Sequence, residues 1–219
     1  MRIGVNATVG STAARAARAF QKADEHHQTP DGTLLFFNAI PLADAELAEV
    51  TSWGKPAALV VPHDSHMIDA RAFADRLALK IYGPSECESK LRERADLAGM
   101  LDAVPSDSSV RIEPVAGVKT GEPALIVTSG NGHVSLLVAD VIMNNAKASI
   151  GFLPRLMGFA GAVKVVPVFR MVFLKDKAAL KAQLERWAGL PGLVRIVPCH
   201  GDLASTDLPQ ALRSAAAAL

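Results

Sequence analysis

Ala57-Ala58-Leu59-Val60-Val61-Pro62-His63-Asp64-Ser65-His66 is an apolar run that stops at a proline and opens onto two histidines and an aspartate. A continuous stretch of Ala, Leu and Val bounded by a proline has the length and composition of a buried strand. Two other runs end alike. Leu136-Leu137-Val138-Ala139 meets Asp140, and Val194-Arg195-Ile196-Val197 meets Pro198-Cys199-His200-Gly201-Asp202. Strands that stop at His and Asp deliver imidazoles and carboxylates to loops at a sheet edge, where α/β proteins hold their ligands. Of the 6 histidines, His63, His66, His133 and His200 lie on or beside such edges.

Outward from these runs the pattern alternates short β-rich segments with helical ones, the signature of layered α/β architecture. Leu34–Asn38 and Leu79–Tyr82 read as strands. Asp44 caps a helix through Val50, and Asp69–Leu79 carries Ala70, Phe73 and Leu77 on one face. Ser85 with Glu88 three residues on has the spacing of a capping box and predicts a helix through Leu91, Leu97 and Leu101. Ala124–Thr128 and Val134–Val138 flank Gly130-Asn131-Gly132, whose residues tolerate positive φ, so a hairpin is expected there. Residues 146–175 predict a loop with a short helix and a strand near Val165–Val168. Asp176 caps a helix bearing Leu180, Leu184 and Trp187, Leu193–Val197 is a strand, and Thr206-Asp207 opens an alanine-rich terminal helix.

The chain has 219 residues, and no linker composition or charge run divides it, so a single domain over 1–219 is expected. Lys plus Arg number 23 against 22 Asp plus Glu, a net charge of +1 that lacks the positive field nucleic-acid backbones demand. No apolar stretch reaches the roughly 20 residues of a membrane span, and the N-terminus lacks the apolar core of a secretory signal. With Cys87 and Cys199 alone, no disulfide framework is expected. The reading is a cytoplasmic protein whose partner is a small-molecule substrate or ligand, with neither nucleic acid nor membrane.

Weaker signals read structurally. Gly10-Ser11-Thr12 before Ala13–Phe20 lacks the Lys of a nucleotide-binding loop and reads as a cap or turn. Ser65 and Ser129 stand near histidines but outside any Gly-x-Ser-x-Gly elbow. Cys199 beside His200 reads as a small buried thiol rather than a nucleophile. The apolar run of residues 150–160, Ile150-Gly151-Phe152-Leu153-Pro154 with Leu156-Met157-Gly158-Phe159, reads equally as core and as a binding groove or subunit contact.

Imidazole nitrogen with carboxylate oxygen suits Zn²⁺, Mn²⁺ or Fe²⁺, and for each histidine the alternative is a hydrogen-bonded loop residue. The order Asp31-Gly32 and strand, Pro41-Leu42 and helix, Val60-Val61-Pro62-His63, Ile81-Tyr82-Gly83-Pro84, the Gly-Asn-Gly-His hairpin, Val138-Ala139-Asp140 and Val197-Pro198-Cys199-His200-Gly201 resembles the metallo-β-lactamase fold superfamily. The resemblance runs from about residue 30 to the end and is nearest to a branch with degenerate metal ligands. It implies a four-layer αββα sandwich with a metal centre at one sheet edge.

In that superfamily a His-x-His-x-Asp-His loop, a later His, a bridging Asp and a last His hold two ions. Carried over, His63 takes the first loop position, but Ser65, Met67 and Ile68 fall where the remaining three ligands belong. Asn131 or His133 aligns with the later ligand, Asp140 with the bridging aspartate and His200 with the last histidine. The implied centre holds at most one Zn, Mn or Fe ion through some of His63, His66, His133, Asp140 and His200, with Asp64 as a further substitute. His200 or Asp64 would handle protons in hydrolysis of an ester, thioester, amide or phosphoester. The competing reading is a metal-free, non-catalytic member that binds a small molecule or pairs as a homodimer.

Overall fold

The computed structural model describes residues 2–5, 32–39, 41–145 and 151–219. The Gly10–Thr12 turn, the helical stretch up to Phe20, Asp31 and Ile150 lie outside these residues. Strands β1 (Arg2–Val5), β2 (Thr33–Phe37), β3 (Lys55–Val60), β4 (Lys80–Gly83) and β5 (Leu97–Met100) form one sheet in that order, every neighbouring pair parallel. Strands β6 (Val110–Pro114), β7 (Pro123–Thr128), β8 (Val134–Val138) and β11 (Leu193–Pro198) form the second, in the order β11-β8-β7-β6. There β11 lies parallel to β8, and the other pairs are antiparallel. Strands β9 (Met143–Asn145) and β10 (Gly161–Lys164) pair separately.

Burial in alternate positions along the strands produces the layers. Leu35, Phe37, Ala58 and Val60 of the first sheet meet Leu125, Val127, Leu137 and Val197 of the second in a shared inner core. Their sequence neighbours point outward, as a period of two requires. Leu34, Phe36 and Leu59 pack with Val50 of α1 (Asp44–Thr51) and with Phe73 and Ala74 of α2 (Ala70–Leu77). A short helix, α3 (Glu88–Arg92), adds Leu91 to that layer. A fourth short helix, α4 (Phe152–Leu156), follows β9. On the far side Ile126, Leu136 and Ile196 meet α5 (Pro167–Val172) through Phe169, α6 (Lys177–Ala188) through Leu180, Leu184 and Trp187, and α7 (Leu208–Ala217) through Leu208 and Leu212. Helices thus cover the outer faces of two stacked sheets, the expected αββα order.

Local signals account for several boundaries. Asp176 Oδ1 accepts the Ala179 N–H at 3.0 Å, the N-cap that the sequence predicts for α6. The hairpin closes through Ser129 N–H to the His133 carbonyl at 2.8 Å.

Three expectations are corrected. Asp44 does not cap α1 but is its first residue, the N-cap position falling on Ala43. The helix predicted through Leu91, Leu97 and Leu101 ends at Arg92, because Leu97–Met100 is drawn into pairing with β4, Ile81 opposite Leu97 and Gly83 opposite Met100. Ser85 makes no capping box there; its hydroxyl donates to Glu86 Oε2. The strand expected near Val165–Val168 is instead Gly161–Lys164. Pro167 then opens α5, since its fixed φ and missing N–H suit the first position of a helix better than a ladder.

Candidate metal centre

The chain reaches one edge of the stacked sheets from several directions. β2 ends at Asn38, β3 at Val61-Pro62-His63, β8 at Ala139-Asp140 and β11 at Cys199-His200, while β7, antiparallel to β8, begins beside this edge after Glu122. His63 and His66 are held by a 3-10 turn at Asp64–Met67, in which His63 Nδ1 accepts the Ser65 N–H at 3.3 Å. The buried Met67 anchors the turn in the outer core of the first sheet.

Asp140 is the point of convergence. His63 Nε2 lies 3.0 Å from its Oδ2, while His66 Nε2 at 3.3 Å and His200 Nε2 at 2.9 Å share its Oδ1. His66 Nδ1 lies 2.9 Å from Asn38 Oδ1. Exposure is graded: His63 is 1% exposed, His66 10% and His200 32%, so the group opens to solvent on the His200 side.

Burial alone would raise the Asp140 carboxyl. Hydrogen bonds from His200, His63 and His66 outweigh it and hold the group far below the ordinary carboxylate range. Asp140 therefore stays ionised. Its neighbour Glu122 goes the other way: full burial, and then the charge on Asp140, push its carboxyl well up against bonds from the Val141 and Asp140 N–H groups. Glu122 Oε1 accepts the Val141 N–H at 2.8 Å, Oε2 has no hydrogen-bond partner, and Oε2 lies 3.9 Å from His63 Nε2. Burial, with the Asp140 charge adding to it, also pushes the Cys199 thiol well up, consistent with a buried, unreactive sulfur.

The donors are of a kind and spacing that can hold one divalent metal. Ligand bonds of about 2.0–2.2 Å place neighbouring donors roughly 3–3.5 Å apart. One ligand atom from each of His63, His66 and Asp140 lies within 4.8 Å of the others.

His133 does not join this group. It sits exposed in the hairpin turn, where its N–H bonds Asn131 Oδ1 at 3.1 Å and its Nδ1 lies 3.0 Å from Asn131 Nδ2. Asp140 is reached only after β8 has run the depth of the sheet, about 20 Å further at about 3.3 Å per residue. The turn is at the wrong end because the two arms of a hairpin are antiparallel: the position facing Asp140 is the start of β7, where Glu122 stands. Sequence reasoning missed Glu122. Its signal was an acidic residue directly before a fully apolar strand, the mirror image of the strand-end pattern that pointed to Asp140.

Asp64 points from the 3-10 turn toward Lys90 Nζ at 3.1 Å, with His63 Nδ1 at 4.0 Å. It flanks the cluster without entering it. Ile68 is exposed, and neither it nor Met67 offers an oxygen or nitrogen side-chain donor.

No family model matches the sequence, and no curated protein matches it. Solved structures do match. TMB-1 aligns over 87% of this chain and 83% of its own, with a TM-score of 0.54 at 12% identity. The DIM-1 metallo-β-lactamase exposed to ceftazidime aligns over 87% and 82%, with 0.54 at 14%. The metallo-β-lactamase from Hirschia baltica aligns over 82% and 79%, with 0.50 at 14%. The chain therefore has the metallo-β-lactamase fold. Among the described residues no helix is long and apolar enough to cross a membrane.

Proposed function

We propose that this chain is a single-ion hydrolase built on the metallo-β-lactamase fold, cleaving an ester, thioester, amide or phosphoester bond of a small molecule. The observation that supports it is the meeting of three imidazole Nε2 atoms, carried by both sheets, at one ionised carboxylate. His63, His66, Asp140 and His200 would hold the ion. When bound, a divalent cation supplies Lewis acidity and brings the pKa of a water toward neutrality.

The remaining roles belong to side chains. Asp140, kept ionised by its histidines, stays available as a ligand and acceptor across the neutral range. His63, enclosed by the protein, fixes the inner wall, and the partly open His200 is placed to carry a proton between the site and solvent. Asp64, committed to Lys90, is a weaker candidate for that task. Met67 and Ile68 bring no donor for a second ion, which supports a mononuclear centre.

A second reading has its own support. With the Ser65 N–H donating to His63 Nδ1, the ring proton sits on Nε2 and points at Asp140, so the cluster also closes on itself by hydrogen bonds as in a non-catalytic binding protein. Elemental analysis of protein purified without chelator, beside His200→Ala and Asp140→Asn, separates the two. The hydrolase reading expects near-stoichiometric metal lost in both variants. Metal-free wild-type protein whose melting temperature ignores added Zn²⁺ and Mn²⁺ would overturn it, since a ligand bound only by the native state must stabilise that state.

A further inference from the structure

We propose that Lys90 and Arg94 are positioning residues for the metal centre: by holding Asp64 from outside, they keep the turn that carries His63 and His66 in the arrangement that takes an ion. This rests on the metal-dependent reading above and gives Asp64 a task other than ligation or proton transfer.

The turn has little of its own to fix it. Asp64–Met67 is one 3-10 turn in which only Met67 is buried, and the exposed Ile68 follows it. Such turns have poor hydrogen-bond geometry and depend on what surrounds them. Yet this one must keep two imidazoles in place, with His63 Nε2 and His66 Nε2 3.0 and 3.3 Å from Asp140. Asp64 stands between the two histidines, and the segment after β4 reaches it twice. Lys90 Nζ donates to Asp64 Oδ2 at 3.1 Å, and Arg94 Nη1 donates to the Asp64 carbonyl at 3.3 Å. One bond takes the side chain and the other the main chain, so the residue is held at both ends.

The hold is firm because the segment is itself anchored. Leu91, between the two cations, is buried in the outer core of the first sheet, and its Cδ1 would lie 2.4 Å from a Cβ at Gly83 of β4. From that seat the charged ends of Lys90 and Arg94 reach the turn after β3, the strand paired with β4. An exposed ion pair by itself changes an equilibrium by about fivefold at most. Residues that orient metal ligands from behind change metal affinity by about 10- to 100-fold. Two bonds from exposed cations to one such residue belong at the low end of that range.

The test uses Zn²⁺ as the probe ion on the full-length chain, with affinity read by competition against a chromophoric chelator, beside ¹⁵N imidazole spectra of the metal-free protein. Lys90→Met and Arg94→Met should each weaken Zn²⁺ binding roughly three- to tenfold, and Lys90→Arg, which keeps the cation, should restore most of the loss. Both Met variants should shift the His63 and His66 resonances and leave those of His133 unmoved. Arg92→Met is the control for lost charge on α3: Arg92 Nε bonds Glu88 Oε1 at 2.7 Å, so this variant should change neither reading. His63 and His66 resonances unmoved in both Met variants, shifted resonances with Zn²⁺ affinity unchanged, or an affinity loss matched by Arg92→Met would overturn the assignment. A wild-type chain that takes up no Zn²⁺ while the two Met variants still move those resonances removes the metal-dependent reading and leaves the hold on the turn.

Discussion

Asn38, at the end of β2, and His66, in the turn after β3, are joined at 2.9 Å between the amide Oδ1 and Nδ1, and Asn38 makes this contact from a left-handed backbone with φ of 60°. Asparagine tolerates that conformation better than most residues with a Cβ. Asn38→Ala removes the partner of His66 and keeps the strain, so it should cost roughly 2–4 kcal/mol. Asn38→Gly relieves the strain and should be less harmful by about 1 kcal/mol. Urea unfolding of the two variants checks the order; equal losses would contradict it.

The two buried carboxyls should impose opposite pH dependences on the metal-free protein. Asp140 is depressed in the folded state, so its contribution is present above the ordinary aspartate range near pH 3.9 and is lost as pH falls toward the folded value. Glu122 is raised, so above about pH 4.3 the unfolded chain sheds a proton that the folded chain keeps, and stability falls as pH rises, by at most about 1.4 kcal/mol per unit. Wild type should therefore weaken relative to Asp140→Asn in acid and relative to Glu122→Gln toward neutrality. Denaturant midpoints between pH 3 and 8 read both slopes, and parallel curves would refute them.

Gly201 follows His200 with φ of 94°, and a Cβ there would come 2.1 Å from the Asn144 carbonyl oxygen. Gly201→Ala must either move that backbone or open the loop that carries His200. The expected loss is about 2 kcal/mol or more, with metal uptake reduced as well. Thermal unfolding and elemental analysis measure the two effects, and a variant matching wild type in both would disprove the constraint.

His133 is the control. Exposed in its turn, with its ring against Asn131 and its backbone bonds kept by any residue, it should be replaceable by Ala with a change within about 0.5 kcal/mol and with metal content unaltered. A loss of metal in His133→Ala would place it back among the ligands.

Much of the layering was legible because it is local. Leu34–Phe37, Ala58–Val60, Leu136–Val138 and Ile196–Val197 are apolar enough to be buried whatever covers them, and Asp176 marks a helix start by its own chemistry. Leu97 shows where local reading stops. Its spacing from Leu91 suits a helix as well as its neighbours suit a strand, and the unpaired edge of β4 settles the matter.

The alternation of apolar strands with amphipathic helices, and the polar residues set at the strand ends, belong to the sequence, since side-chain hydrophobicity and backbone preference act over a few residues. Which strand ends meet was fixed only when the sheets stacked. That packing set His66 rather than Ser65 beside Asp140, carried His133 to the far end of a hairpin, and buried Glu122 against His63 with one oxygen unmatched. Separations of a few ångströms between side chains tens of residues apart depend on the register and depth of the shared core, which no short stretch of the chain encodes.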